Sequence, residues 1–281
     1  MRLEFTKMHG IGNDYIYFNC LEKELENPAD VALKMSARHF SVGADGIVMI
    51  CRSKVADAKM RMFNADGSEG KMCGNAIRCV GKYLYDGGYV KSKSLTVETL
   101  SGIKKLELYV ENGKVSSVSV DMGKAEFDGR KIPVDADGVV KNFPLGIGGA
   151  IYNITCVSMG NPHAVTFVDN LQNINIESIG PKFEHHKFFP ERVNTEFIRV
   201  IDAHTLEMRV WERGSGETFA CGTGACAAVA AAVLCGYVEA KSPVKVKLIG
   251  GELEIICGDD YSITMNGPAE KVYDGVYEYE N

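Results

Sequence analysis

The chain repeats itself at a fixed distance. Arg61-Met-Phe-Asn-Ala-Asp-Gly-Ser-Glu-Gly-Lys-Met-Cys73-Gly74-Asn75-Ala76 runs in step with Arg209-Val-Trp-Glu-Arg-Gly-Ser-Gly-Glu-Thr-Phe-Ala-Cys221-Gly222-Thr223-Gly224. Both pieces continue to Gly-Tyr-Val, at Gly88-Tyr89-Val90 and Gly236-Tyr237-Val238. The offset is constant (221 − 73 = 209 − 61 = 237 − 89 = 148). The turn Gly12-Asn13 finds its echo at Gly160-Asn161 by the same shift. Two copies of one unit are therefore expected, each offering a cysteine at the start of a helix.

The apolar pattern says what each unit looks like. Short β-like stretches such as Leu3 to Lys7, Tyr15 to Asn19 and Ile47 to Cys51 alternate with turns, and strands with period-two alternation follow each cysteine helix. Asn27-Pro28 suits a helix start, with the asparagine as cap and the helix reaching about His39; its echo is the segment from Ile176 to Phe189. Residues 222–236 are small and apolar on every face, and such a helix has to be surrounded. The expected fold is α/β: two pseudo-symmetric domains from an internal duplication, each a curved mixed β-sheet or barrel wrapped around a central helix and facing the other across a cleft. The expected halves are residues 1–122 with 269–281, and residues 123–268, the Gly/Pro/Asp-rich stretch 123–149 holding the boundary.

Composition excludes several classes. A net charge of −6 with a pI near 5.6 argues against nucleic acid or an anionic membrane as the partner. No apolar run is long enough to span a bilayer, and Met-Arg-Leu-Glu-Phe-Thr-Lys lacks the apolar core of a signal peptide. The nine cysteines are thus expected in a reducing cytoplasm, with no C-x-x-C pair to suggest a metal site. Cys20, Cys51, Cys79, Cys156, Cys226, Cys235 and Cys257 read as core, and His39, His185, His186 and His204 as surface or packing residues.

Cys73 and Cys221 differ from the other seven in context. A helix N-terminus leaves backbone N–H groups unpaired and carries partial positive charge, so it binds anions such as a carboxylate. Gly74 and Gly222 allow close approach. The same field favours a thiolate and is expected to bring a cysteine pKa from about 8.5 towards roughly 7. Two such thiols at one cavity would hold about one proton between them. One would be a base and the other an acid, able to invert a carbon held between them. Asn13, Asn64, Asn161 and Asn194 recur at the repeat's turns, where turn-forming and ligand-holding roles are both open, as they are for His163.

These residues resemble one known family. His9-Gly-Ile-Gly-Asn-Asp14, Phe63-Asn-Ala-Asp-Gly-Ser-Glu69 with Cys73-Gly-Asn75, Ser158-Met-Gly-Asn-Pro-His163, Pro190-Glu-Arg-Val-Asn194 and Glu212-Arg-Gly-Ser-Gly-Glu-Thr218 with Ala220-Cys-Gly-Thr-Gly-Ala-Cys226 look like diaminopimelate epimerase across essentially the whole chain. The resemblance implies a cofactor-independent epimerase of lysine biosynthesis, without metal or pyridoxal phosphate, acting on diaminopimelate through Cys73 and Cys221. It implies that the reacting carboxylate rests on Gly74-Asn75 and Gly222-Thr223. Asn13, Asn64, Asn161, Asn194 and Arg213 would hold substrate, and Glu212 and His163 would lie beside the reacting centre. It also implies a homodimer with Tyr273 in the contact. Many members of that family carry glutamine just after the first helix, where this chain has Gly46. A proline racemase-like enzyme, which has no need of Arg213, and a redox-switched amino-acid-binding protein, which would never exchange the α-proton, are the competing readings.

Overall fold

The computed structural model describes residues 2–279; Met1, Glu280 and Asn281, at the ends of the expected first half, lie outside the described residues. The elements follow in order. First come β1 (Arg2–Gly10), β2 (Asn13–Cys20), α1 (Pro28–Ser36), β3 (Gly46–Cys51), β4 (Ala58–Asn64) and β5 (Glu69–Gly70). Next are α2 (Gly74–Asp86), β6 (Ser94–Thr99), β7 (Gly102–Glu111) and β8 (Lys114–Lys124). Then β9 (Phe143–Ile147), β10 (Ala150–Ser158), β11 (Pro162–Phe167), α3 (Ile176–Glu184), β12 (Asn194–Asp202), β13 (Thr205–Glu212) and β14 (Gly216–Glu217). Last are α4 (Gly222–Cys235), β15 (Pro243–Leu248), β16 (Gly251–Cys257), β17 (Ser262–Pro268) and β18 (Glu270–Glu278). The helices α1 and α3 are displaced by 148 at both ends (176 − 28 = 184 − 36).

The chain divides into two compact units, residues 1–121 with 267–281, and residues 122–266. In the first, β18, β1 and β2 pair antiparallel, β2 and β3 parallel, β3 and β4 antiparallel, β4 and β6 parallel, and β6, β7 and β8 antiparallel. In the second, β9, β10 and β11 pair antiparallel, β11 and β12 parallel, β12 and β13 antiparallel, β13 and β15 parallel, and β15, β16 and β17 antiparallel. Pairing patterns and helix positions are the same in both, as a duplication requires.

Each sheet curls around one helix and carries a second on its other face. In the second unit α4 packs on β10, β11, β12 and β16, and in the first α2 packs on β1, β2 and β7. Alternate residues of one strand serve the two faces. Ile47, Met49 and Cys51 of β3 join the cluster built on Val31, Ala32 and Met35 of α1, which leaves Val48 and Ile50 to the α2 side. Likewise Phe197 of β12 packs with Ile176 and Phe183 of α3, leaving Glu196 and Ile198 to the α4 side. Every residue of α4 from Ala225 to Ala232 is fully buried, which follows from its having no polar face.

The recurring Gly-Tyr-Val is the helix stop. Gly236 takes a left-handed conformation (φ 80°) and the Tyr237 N–H returns to the Ala232 carbonyl at 2.9 Å. Gly88 (φ 76°) and the Tyr89 N–H to the Leu84 carbonyl at 2.9 Å repeat this at the end of α2. Two local expectations are corrected. The first helix ends at Ser36 rather than His39, because Ala37 leaves the helical region and the Gly43 and Ala44 amides take the Met35 and Ser36 carbonyls. Asn27 precedes it in a left-handed conformation and makes no side-chain cap.

The two halves differ in a compensating pair. Gly180 of α3 lies against Trp211, and a Cβ there would fall 2.3 Å from the indole. At the matching positions of the first half stand Ala32 and Phe63. Gly180→Ala is therefore expected to destabilise the protein by about 1–3 kcal/mol through overpacking, and Gly180→Ala/Trp211→Phe to recover most of it. Urea denaturation of the two variants checks this; equal losses in both would show that the indole is not what requires the glycine.

Candidate active site

The two cysteines occupy the same structural position in their units. Cys73 is the N-cap of α2 (φ −127°, ψ 122°) and its sulfur accepts the Ala76 N–H at 3.5 Å. Cys221 is the N-cap of α4 (φ −116°, ψ 107°) and accepts the Gly224 N–H at 3.3 Å. A thiol here takes the part usually played by serine or aspartate. The amides of Gly74-Asn75 and Gly222-Thr223 lie ahead of the capped ones, where a helix has anion-binding capacity.

Around Cys73 the structure brings Asn13. Its carboxamide oxygen accepts the Cys73 thiol at 3.3 Å, and its nitrogen donates to Asp45 Oδ2 at 2.8 Å. Asp45 and Asp14 share Arg38 (2.9 and 2.7 Å), and Lys7 pairs with Asp14 at 2.5 Å. Burial tends to raise the Asp14 carboxyl, but Lys7 and Arg38 outweigh it and hold it below the ordinary carboxylate range. Burial, with Asp14 as neighbour, leaves Asp45 raised. Asn75, buried, accepts from the fully buried Arg78 guanidinium at 3.0 Å, which also bonds the Gly74 carbonyl at 3.0 Å and the Pro268 carbonyl at 3.1 Å. Asn64 closes its own turn, donating to Ser68 Oγ at 3.0 Å. A glutamine at position 46 would not fit this backbone, since a Cβ on Gly46 would lie 2.1 Å from the Phe63 carbonyl oxygen.

Around Cys221 the structure brings Glu212, Thr223, His163 and Asn161. Glu212 accepts a hydrogen bond from the hydroxyl of Thr218 and carries its carboxyl close to the Cys221 thiol. Thr223 Oγ1 lies 3.6 Å from the Cys221 sulfur and accepts from Asn161 Nδ2 at 3.3 Å. Asn161 Oδ1 meets His163 Nε2 at 3.1 Å, and His163 Nδ1 lies 2.7 Å from Glu196 Oε1. Asn194 orients the start of the next turn: its side chain donates to the Pro162 carbonyl at 2.9 Å and accepts the Arg213 N–H at 2.9 Å. The exposed Arg213 guanidinium rests on the Glu191 carbonyl at 2.9 Å.

The expected lowering of the thiol pKa fails at Cys221. Burial pushes the Cys221 thiol well above its ordinary value, and the carboxylates of Glu212 and Glu196 push the same way. The bonds from Thr223 and Gly224 oppose this and lose. Desolvation outweighs the field of the helix terminus here because the α4 terminus is enclosed rather than open to water. Burial likewise raises Glu212, against the bonds from Thr218 and Cys221. Cys221 therefore stands as a buried thiol beside a carboxylate.

Sequence reasoning missed Glu196, Thr218 and Asp45. The sequence carries no clear signal for Glu196, since Asn194, Thr195, Arg199 and Asp202 make its strand mixed in polarity. Six of the cysteines read as core (Cys20, Cys51, Cys79, Cys156, Cys226 and Cys257) are buried, and Cys235 is half-buried at the end of α4. His39, His185 and His204 are exposed, His186 is half-buried, and His163 is wholly buried.

Comparison with known proteins places the chain in a family. A family model of diaminopimelate epimerase matches residues 5–127 and 155–272. The chain is 55% identical over 275 residues to the diaminopimelate epimerase of Acetivibrio thermocellus, covering 97% of this chain and 98% of the relative. It is 52% identical over 275 residues to that of Methanococcus maripaludis, covering 97% and 99%. Among solved structures it shares its fold with a Bacillus anthracis phenazine biosynthesis protein of the PhzF family (TM-score 0.74, 18% identity, 99% and 100% covered). An Agrobacterium vitis hydroxyproline epimerase shares it too (TM-score 0.71, 14% identity, 98% and 92% covered). By sequence likeness over nearly its whole length, and by two cysteine-capped helices at equivalent places in a doubled fold, the chain belongs to the diaminopimelate epimerase family.

Proposed function

We propose that the protein interconverts LL- and meso-diaminopimelate, in the pathway to lysine, by moving one proton off an α-carbon and another onto its opposite face. Cys73 and Cys221 are the acid/base pair. The observation that carries this reading is that each caps a helix through sulfur, so that in each unit a thiol stands next to an anion-binding helix start. The α-carboxylate rests on the amides of Gly74-Asn75 and Gly222-Thr223, where positive charge stabilises the carbanion as the α-proton leaves. The pair exchanges the roles of base and acid between the two isomers.

Asn13, Asn64, Asn161, Asn194 and Arg213 hold the substrate, with Arg213 on the distant carboxylate. Glu212 receives the α-ammonium beside Cys221, and His163 stands behind Asn161. Arg213 supports a substrate with two carboxylates, since its fork matches a carboxylate that a proline-like substrate lacks. Arg213→Met should lower kcat/KM for diaminopimelate by about a hundredfold or more, the order of two charge-assisted hydrogen bonds. Turnover of LL-diaminopimelate, followed by chiral separation of products, measures this. Wild-type-like activity in the variant would remove the substrate assignment while leaving the thiol pair standing.

The protein is proposed to act in the cytoplasm as a homodimer. Supporting the dimer, β18 exposes Val272, Tyr273 and Val276 together. Among the described residues no helix is long and apolar enough to cross a membrane. Tyr273→Ala is expected to shift sedimentation from dimer towards monomer; a monomeric wild-type protein at micromolar concentration would contradict the assembly.

A further inference from the structure

The network behind Cys221 contains a charge that the proposed reaction does not call for. Glu196 and His163 are both wholly buried, and Glu196 Oε2 has no hydrogen-bond partner among the described residues. A buried carboxylate with one oxygen unsatisfied is costly, and its retention asks for a reason. The fold is not that reason. Position 196 corresponds to Val48 in the first half, position 163 to Tyr15, and position 224 to Ala76 (196 − 48 = 163 − 15 = 224 − 76 = 148), and those three pack fully buried or nearly so. Room for the carboxylate is made by Gly224, where a Cβ would fall 2.7 Å from Glu196 Oε1. Valine with alanine in one half has become glutamate with glycine in the other.

Proton counting shows what the carboxylate does. Asn161 donates its amide to Thr223 Oγ1, so the oxygen it turns to His163 is an acceptor, and Nε2 must carry hydrogen. Nδ1 lies 2.7 Å from a carboxylate oxygen, a distance that two bare acceptors would not keep, so a proton sits between them. The ring therefore has hydrogen on both sides, and the pair is neutral as a whole whichever atom holds the shared proton. Both ends of the imidazole are then fixed, which fixes the Asn161 amide, the Thr223 hydroxyl, and through it the surroundings of the Cys221 sulfur 3.6 Å away.

We propose that Glu196 is a positioning residue for the Cys221 half of the site, holding His163 doubly hydrogen-bonded so that Asn161 and Thr223 present one orientation to the thiol and to the substrate carboxylate. Among the described residues the charged groups acting on Cys221 are Glu212 from β13, beside the thiol, and Glu196 from β12, which with His163 from β11 orders the neighbouring hydroxyl. Glutamine at 196 supplies the same shape without the charge. The ring would keep a single N–H: the glutamine amide can donate to a bare Nδ1 while Nε2–H holds Asn161, so the contacts survive and only the second ring hydrogen goes.

This inference rests on the epimerase reading, and the test separates the two. Diaminopimelate turnover is measured for wild type, Glu196→Gln and Glu196→Val/Gly224→Ala, together with the 15N spectrum of each protein labelled at histidine. The double variant rebuilds the apolar pair of the first half and is expected to melt at or above the wild-type temperature, since filling a buried ionic site with apolar groups is often neutral or stabilising. The double variant, which leaves nothing to hydrogen-bond Nδ1, should lose about ten- to a hundredfold in kcat, within the range of acid/base positioning, while Glu196→Gln should stay within a few-fold of wild type. In wild type, one histidine should show hydrogen on both ring nitrogens, and in Glu196→Gln that signature should vanish. Wild-type kcat in the double variant, or an unchanged histidine spectrum in Glu196→Gln, overturns the role of Glu196. Absence of diaminopimelate turnover in wild type overturns the epimerase reading instead, and the spectrum still decides whether Glu196 holds the ring.

Discussion

A helix without a polar face cannot lie on a surface, and α4 has none from Gly222 to its last turn. Enclosing it requires strands on several sides, which β10, β11, β12 and β16 supply. Enclosure also carries the helix N-terminus away from water, so its first amides need a partner from the protein. The Cys221 sulfur takes the Gly224 amide, and the two amides before it are left to the ligand side. The position of the thiol, its burial and its proton thus follow from one packing demand. The balance of magnitudes decides the last of these: a helix terminus contributes up to about 2 kcal/mol in favourable partly buried sites, whereas full burial can move a titratable group by several pKa units.

Duplication provides two copies of that demand, and the copies disagree at the positions around the cysteines. Asn64 against Glu212, Tyr15 against His163, Val48 against Glu196 and Ala76 against Gly224 all fall around the two cysteine caps. The first half surrounds its thiol with a carboxamide, Asn13, backed by an ion-pair cluster of Lys7, Asp14, Arg38 and Asp45. The second surrounds its thiol with a carboxylate, Glu212, and an ordered chain of hydrogen bonds from Glu196. A single scaffold thereby gives two sulfurs unlike surroundings, which a proton-relaying pair needs.

Much of this was legible before any coordinates. The offset of 148 located both helices, the turns bearing the asparagines and the glycine stops, because repeated turn and cap chemistry is local and visible in sequence. The all-apolar run predicted the wrapped helix. Glu196 was not legible: whether a carboxylate in a strand faces water or the core depends on what covers that face, here α4. The direction of the Cys221 shift was missed for a related reason, since helix-end arguments assume a solvated terminus and enclosure is a tertiary property. Asn27 shows the converse, a residue of cap type at a cap position whose backbone leaves the side chain unable to cap.

The central claim is that one thiol removes the α-hydrogen and the other delivers its replacement. Isotope content at early conversion in D2O tests it most directly, with LL-diaminopimelate as substrate and mass spectrometry of both the meso product and the recovered starting material. The account predicts deuterium at the α-carbon of nearly every product molecule and almost none in recovered substrate, because the sulfur that takes the hydrogen is not the one that gives. Deuterium entering the recovered substrate as fast as the product would mean that a single base serves both faces, and the paired-thiol mechanism would be wrong.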